Sequence, residues 1–211
     1  ARRDLDSLFS YEQRVAMQNS SLTAYFTPTK VIDAMYTGLM RMGFKGGNIL
    51  ESSMGIGNFF GRMPKEMSTK SSLTGVEMES YTARIAQLLY PGATVINKPF
   101  QDVGMRNDVF DLVIGNVPFG TTKFSYGKKK YLIHNYFILS SLDKVREGGI
   151  VAVLTSAGTL DSYGIDARKA IMDKADVVAC YKLPERVFSR NANTDVQTDL
   201  LILRKRAAGA K

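Results

Sequence analysis

Two rhythms of apolar and polar positions alternate along the chain. Short apolar runs, of the length a buried strand needs, stand in "GGNILESSMG", "SSLTGVEMES", "ATVINK", "DLVIGN" and "GGIVAVLTS", then around Val177–Leu183 and Thr198–Arg204. Between them apolar residues recur at helical spacing. Val31, Met35, Leu39 and Met42 form one such face, with Thr27 expected to cap it, Pro28 to occupy its first position and Gly43 to end it. Further helices are expected over Leu5–Gln18, Tyr81–Leu89, His134–Val145 and Asp166–Lys174. Strands that alternate with helices predict an α/β fold, a mostly parallel seven-stranded sheet with helices on both faces. The last two strands follow each other through "PERVFSRNANTDVQ" with no helix between them, which predicts a C-terminal antiparallel hairpin at one edge. Lys128 to Lys130 fall in what reads as a polar loop. No internal repeat or low-complexity tract interrupts the pattern.

Composition narrows the function classes. The 211 residues are 45% hydrophobic, enough for one substantial core, and the formal charge of +8 suits a polyanionic partner. A single cysteine excludes an internal disulfide, and a single histidine, His134, leaves no Cys/His cluster, so no metal is expected. No apolar run approaches the roughly 18 residues of a membrane span and the first residues lack a signal segment, so the expected location is cytoplasmic.

In open α/β sheets, ligands bind beyond the carboxyl ends of the strands. There the first strand gives Glu51, Gly55 and Gly57, the glycines allowing close backbone approach. The second gives Glu77 and Met78. Glu77 lies 20 residues past Gly57, and its two oxygens match the spacing of ribose hydroxyls. The third gives Phe100 for stacking and Gln101 or Asp102 for an adenine amine. Together these favour an adenosine-containing cofactor. A dinucleotide uses similar parts, but the turn lacks the full glycine triplet, and a carboxylate at position 51 repels phosphates while it attracts a cation. S-adenosyl-L-methionine, with its positive sulfonium, is the better match.

The fourth strand ends in Asn116-Val117-Pro118-Phe119. An exocyclic adenine amine is a poor nucleophile because its lone pair is delocalised into the ring. Acceptors that hold its hydrogens make the nitrogen more tetrahedral. Asn116 offers a side-chain oxygen, Val117 a carbonyl whose direction Pro118 restricts, and Phe119 a ring for stacking. "NVPF" resembles the Asn-Pro-Pro-Tyr/Phe motif of amino-methyltransferases, and "AYFTP", "ESSMGIGNFF", "GVEME", "FQD" and "LPERVF" follow that family's order over Tyr25 to Arg204. The chain is similar to N6-adenine DNA methyltransferases whose cofactor motifs precede the catalytic one.

That resemblance implies a Rossmann-like class I methyltransferase domain over 25–206, preceded by a helical segment at 1–24 and followed by a tail at 207–211. It implies that Phe26, Thr27 and Pro28 border the methionine end of S-adenosylmethionine. Glu51, Gly55, Gly57 and Asn116 would line its centre, Glu77 and Met78 its ribose, and Gln101 or Asp102 its adenine. Phe119 and Phe188 would sandwich an extruded base, since a flipped base loses its stacking partners. Val117 departs from the family's proline but keeps the carbonyl. Lys123 and Lys128 to Lys130 are candidates for DNA phosphate contacts, with Tyr126, Tyr131 and His134 on the same surface, although His134 fits a helix start or core position better than a catalytic base. "NVPFG" also resembles methylase segments of very large mobile-element and phage proteins joined to helicase-like regions. The abrupt ends fit such a piece, with recognition or helicase regions elsewhere and no target-recognition domain in this chain. Rival readings are a noncatalytic cofactor- or DNA-binding module of a helicase-type protein, and an amino-methyltransferase acting on RNA or a protein glutamine.

Overall fold

The computed structural model describes residues 10–11, 27–184, 187 and 197–209. The expected N-terminal helix and Phe26 and Phe188 lie outside the described residues. Helix α1, Thr29–Arg41, buries Ile32, Met35, Tyr36 and Leu39. Its cap differs from expectation. Pro28 is the N-cap and Thr27 lies outside the helix, because the amides of Val31 and Ile32 are both taken by the Pro28 carbonyl. Gly43, at φ 88, ends the helix as expected, and the Phe44 amide turns back to the Leu39 carbonyl.

Strand β1 (Asn48–Glu51) leads through the glycine turn to the short helices α2 (Asn58–Arg62) and α3 (Lys65–Ser68). Strand β2 (Ser72–Glu77), helix α4 (Ser80–Leu89) and β3 (Thr94–Asn97) follow, with a 3₁₀ turn at Phe100–Asp102. Then come β4 (Phe110–Asn116), β5 (Lys123–Tyr126), β6 (Lys129–Leu132), α5 (Ile133–Lys144) and β7 (Val145–Ser156). Helices α6 (Gly158–Asp161) and α7 (Asp166–Met172) and strands β8 (Ala175–Lys182) and β9 (Thr198–Lys205) complete the order.

Seven strands form one sheet in the order β3-β2-β1-β4-β7-β9-β8, parallel except for β9, which pairs antiparallel with both neighbours. The predicted edge hairpin is therefore present. Alternate residues feed opposite cores. Ile49, Leu112, Ile114, Ala152, Leu154 and Ile202 face α1 and α2, while Leu50, Val113, Val151, Val153, Leu201 and Leu203 face α5 and α7. Burial on both faces explains the continuous apolar runs of the central strands. The chain winds from β1 to one side and returns to β4 on the other, so the β1/β4 boundary is the topological switch point, the place where open α/β sheets bind ligands.

One expectation is corrected. Lys128 to Lys130 are not a loop but belong to a separate antiparallel hairpin, β5–β6, turned by Gly127 at φ 58 and Lys128. Helix α5 buries residues all round, Ser140 and Ser141 included, because the sheet lies on one side of it and this hairpin on the other, with the Phe124 and Tyr136 rings 5.3 Å apart.

Candidate active site

At the switch point the first and fourth strand ends are tied together. The Ser53 hydroxyl donates to the Asn116 carbonyl at 2.8 Å, and a side chain at Gly115 would meet the Cγ of Glu51 at 3.4 Å. The Val117 amide donates to the Leu154 carbonyl at 3.1 Å, which locks the start of the motif to β7. Val117 is buried, and Pro118 and Phe119 are half-buried at the rim.

Glu51 is 2% exposed and, among the described residues, its Oε2 has no hydrogen-bond partner. Burial, reinforced by the charge of Glu77, pushes its carboxyl well above the usual carboxylate range. Glu51 in turn helps raise the pKa of the Tyr36 and Tyr90 hydroxyls, although burial is the larger cause for both. Such a carboxyl ionises readily only beside a positive charge.

The two glycines of the turn do different work. Gly55 has φ 54, with none of the described residues within 4 Å of where a side chain would start, and its amide donates to Glu77 Oε2 at 2.9 Å. Gly57 has φ 86, and a side chain there would overlap the Tyr90 ring. Close approach at Gly57 is thus used by the protein itself. Sequence reasoning missed Tyr90, because nothing in "LLYPG" shows that its ring returns to the turn; Ser53 was visible only as one serine of two in "ESSMG".

Glu77 receives a second main-chain donor, the Glu79 amide, on Oε1 at 2.8 Å. Burial raises its pKa, with these two donors acting the other way. Beside it Met78 is 71% exposed, an apolar side chain bare at the strand ends. Gln101 and Asp102 are exposed on the 3₁₀ turn at the end of β3. Phe100 is not a stacking surface: it is 6% exposed and packs on Phe137 with ring centroids 5.1 Å apart. Glu51, Gly55, Glu77, Met78, Gln101, Asp102 and Asn116 therefore share the carboxyl ends of β1 to β4, with Thr27 and Pro28 at the start of α1.

The aromatic residues expected beside the lysines are otherwise engaged. Tyr126 donates its hydroxyl to Asp143, with Lys174 2.7 Å from the same carboxylate and over the Tyr126 ring at 5.5 Å. Tyr131 is 8% exposed. His134, 3% exposed at the start of α5, has its pKa lowered by burial, as suits a core residue. Ile133 lies 3.8 Å from where a Gly120 side chain would start, but Tyr126 reaches Asp143 in the last turn of α5. The hairpin thus runs away from the motif: exposed Lys123 stays near it and Lys128 stands at the distant turn. Lys129 is paired with Asp166 at 2.9 Å. Among the described residues no group of three His, Cys, Asp or Glu side chains is placed to hold a metal ion.

Comparison with known proteins decides the family. Residues 10–211 match the model of the N-6 DNA methylases. The chain belongs to the N-6 DNA methylase family. It is 31% identical over 196 residues to the defense against restriction protein B of Escherichia phage P1, a match covering 89% of this chain and 8% of that protein. The chain thus spans a small part of its curated relative. In fold this N-6 DNA methylase is similar to a Listeria monocytogenes protein assigned to the class I S-adenosylmethionine-dependent methyltransferases, at TM-score 0.71 and 17% identity, covering 97% of this chain and 71% of the other. It also matches the type I restriction-modification methyltransferase subunit of Streptococcus thermophilus, at TM-score 0.71 and 19% identity, covering 87% and 45%. The Rossmann-like class I methyltransferase fold is that expected from the strand pattern and the ordered motifs.

Proposed function

We propose that this chain transfers the methyl group of S-adenosylmethionine to the N6 amine of adenine in DNA, with the target base turned out of the duplex. The observation that carries this reading is the Ser53–Asn116 bond, which joins the glycine turn to "NVPF" at the switch point of the sheet. The residues present fit the cofactor. Glu51 is a buried carboxyl whose Oε2 is unpaired among the described residues, as a cationic ligand would require and a pyrophosphate would not. Gly55 leaves room among the described residues, Glu77, fixed by the Gly55 and Glu79 amides, is assigned to the ribose, and exposed Met78 with Gln101 and Asp102 can cover an adenine. When bound, S-adenosylmethionine supplies an electrophilic methyl group on a positive sulfur.

The protein's part is to hold and orient. Asn116 and the Val117 carbonyl accept the two amine hydrogens, while the Val117 bond to Leu154 and the Pro118 ring restrict that carbonyl's direction. Phe119 stacks on one face of the base, and Phe188 is assigned to the other. The proton of the methylated amine leaves to water, since His134 is buried in the core. Lys123 meets a phosphate near the motif. The far greater length of the phage relative supports placing sequence recognition in other regions of a longer polypeptide.

The test is nucleoside mass spectrometry of unmethylated DNA incubated with labelled S-adenosylmethionine, beside Asn116→Ala. Label in N6-methyl-2′-deoxyadenosine that vanishes in the variant is expected. Label of equal strength in both proteins would refute the assignment of Asn116.

A further inference from the structure

Among the described tyrosines Tyr11 and Tyr181 are exposed at 74% and 60%, but Tyr163 stands fully outside, at 105% relative exposure. It belongs to the loop joining α6 to α7, just beyond the carboxyl end of β7. That is the substrate side of the sheet: Leu154, two residues before the end of β7, is the residue that holds Val117.

The loop is not a loose tether. The Arg168 guanidinium donates to the carbonyls of Ser162 at 2.7 Å, Leu160 at 3.0 Å and Thr159 at 3.5 Å. The Gly164 amide donates to the Ser162 hydroxyl at 3.2 Å, and Lys182 pairs with Asp161 at 2.7 Å. One cation thus closes three carbonyls around the base of the loop and leaves the ring projecting into water. The anchored backbone sets where the ring emerges, and the ring presents its flat apolar face to solvent. What complements it is another flat π system, and a nucleic acid presents one at every base.

We propose that Tyr163 stacks on a nucleobase of the DNA, outside the pocket that holds the target adenine. This rests on the reading of the chain as a DNA-adenine methyltransferase and adds a contact to it. The base concerned is either one at the gap left by the extruded adenine or an unpaired base beside it; the shared chemistry is the exposed base face. Truncating the ring removes an interaction of roughly 1–3 kcal/mol, which is about 5- to 150-fold in affinity.

The chain has no tryptophan, so Tyr163→Trp introduces a single indole reporter. Its fluorescence is expected to be quenched by an oligonucleotide carrying bases and not by one of equal length with abasic sites around the target. The same reporter at Leu88, 68% exposed on α4, should remain unquenched. Comparing intact duplexes with single strands distinguishes the gap from an unpaired base. In parallel, Tyr163→Ala should weaken DNA binding within that range while cofactor affinity and Tm stay unchanged, and Tyr163→Phe should bind like the parent. If the unsubstituted chain methylates adenine and Tyr163→Ala binds DNA equally well, or abasic DNA quenches the indole equally, stacking is overturned and the methyltransferase reading stands. If the unsubstituted chain neither binds nor methylates DNA, both fall together.

Discussion

Ser53 holds the main-chain carbonyl of Asn116 at 2.8 Å across the gap between the first and fourth strand ends. The bond fixes the distance between the turn that approaches the cofactor and the residue that holds the amine. A single hydrogen bond of this kind contributes about 0.5–1.5 kcal/mol. Ser53→Ala should therefore slow single-turnover methylation by about 2- to 15-fold. Cofactor affinity should change much less, because Ser53 acts on the geometry of the motif. Equal losses in rate and in cofactor binding would instead place Ser53 on the cofactor.

Glu51 makes cofactor binding and pH interdependent. Its folded pKa is raised, first by burial and then by Glu77, so the empty protein favours the protonated form. Stability held by that form is fully present below the ordinary pKa of 4.5 and is lost as pH rises through the folded value. A cation bound beside Glu51 reverses the preference. Titration calorimetry in buffers of different ionisation enthalpy should detect proton release on binding S-adenosylmethionine, and affinity should rise with pH across that window. Glu51→Gln should stabilise the empty protein at neutral pH, weaken cofactor binding at least tenfold and abolish the proton release. Glu77, Tyr36 and Tyr90 are the titratable neighbours, and Glu51→Gln distinguishes their contribution.

How far the fold was legible depends on where its information lies. The strand runs of β1, β4 and β7 declare themselves because both faces are buried, and the lack of a helical repeat in the sequence between β8 and β9 points to their antiparallel pairing. The hairpin β5–β6 was hidden by its lysines. Yet Phe124, Tyr126 and Tyr131 alternate with polar residues around Gly127, a period-two signal that charge obscured. The candidate site was legible wherever it depends on residue type and order, as for Asn116 or Glu51. It was not legible where it depends on long-range packing, as for Tyr90 against Gly57 or Phe100 against Phe137. Such contacts join residues more than thirty positions apart that have no local mark.

The hairpin is fastened at Tyr126, and that fastening should show a pH signature. Burial, with the Asp143 carboxylate adding to it, raises the Tyr126 hydroxyl from 10.0 to about 12. A hydrogen bond to a charged group contributes about 1.5–3 kcal/mol, so Tyr126→Phe should lower stability by that order. Because the folded value is the higher one, the contribution is fully present below pH 10 and is lost as pH approaches about 12. Denaturant unfolding of parent and variant should therefore converge across that alkaline interval. A difference that persists unchanged at its upper end would mean that the ring packing, and not the hydroxyl, carries the stability.

Gly55 and Gly57 are two residues apart, both in left-handed conformation, and should respond oppositely to the same added methyl group. At Gly57 the methyl overlaps the Tyr90 ring, so Gly57→Ala combines overpacking with backbone strain and should cost about 2–4 kcal/mol in stability. At Gly55 only the strain remains, about 1–2 kcal/mol, since none of the described residues lies within 4 Å. There the methyl projects into the space assigned to the cofactor. Gly55→Ala should thus keep most of the stability and lose about tenfold or more in S-adenosylmethionine affinity, whereas Gly57→Ala should mainly lower Tm. Adding Tyr90→Ala to Gly57→Ala removes the overlap but leaves the strain and opens a cavity, so only partial recovery is expected. Thermal unfolding and calorimetry on the four proteins separate the cases. A Gly55→Ala protein that binds the cofactor like the parent would remove the cofactor from this turn.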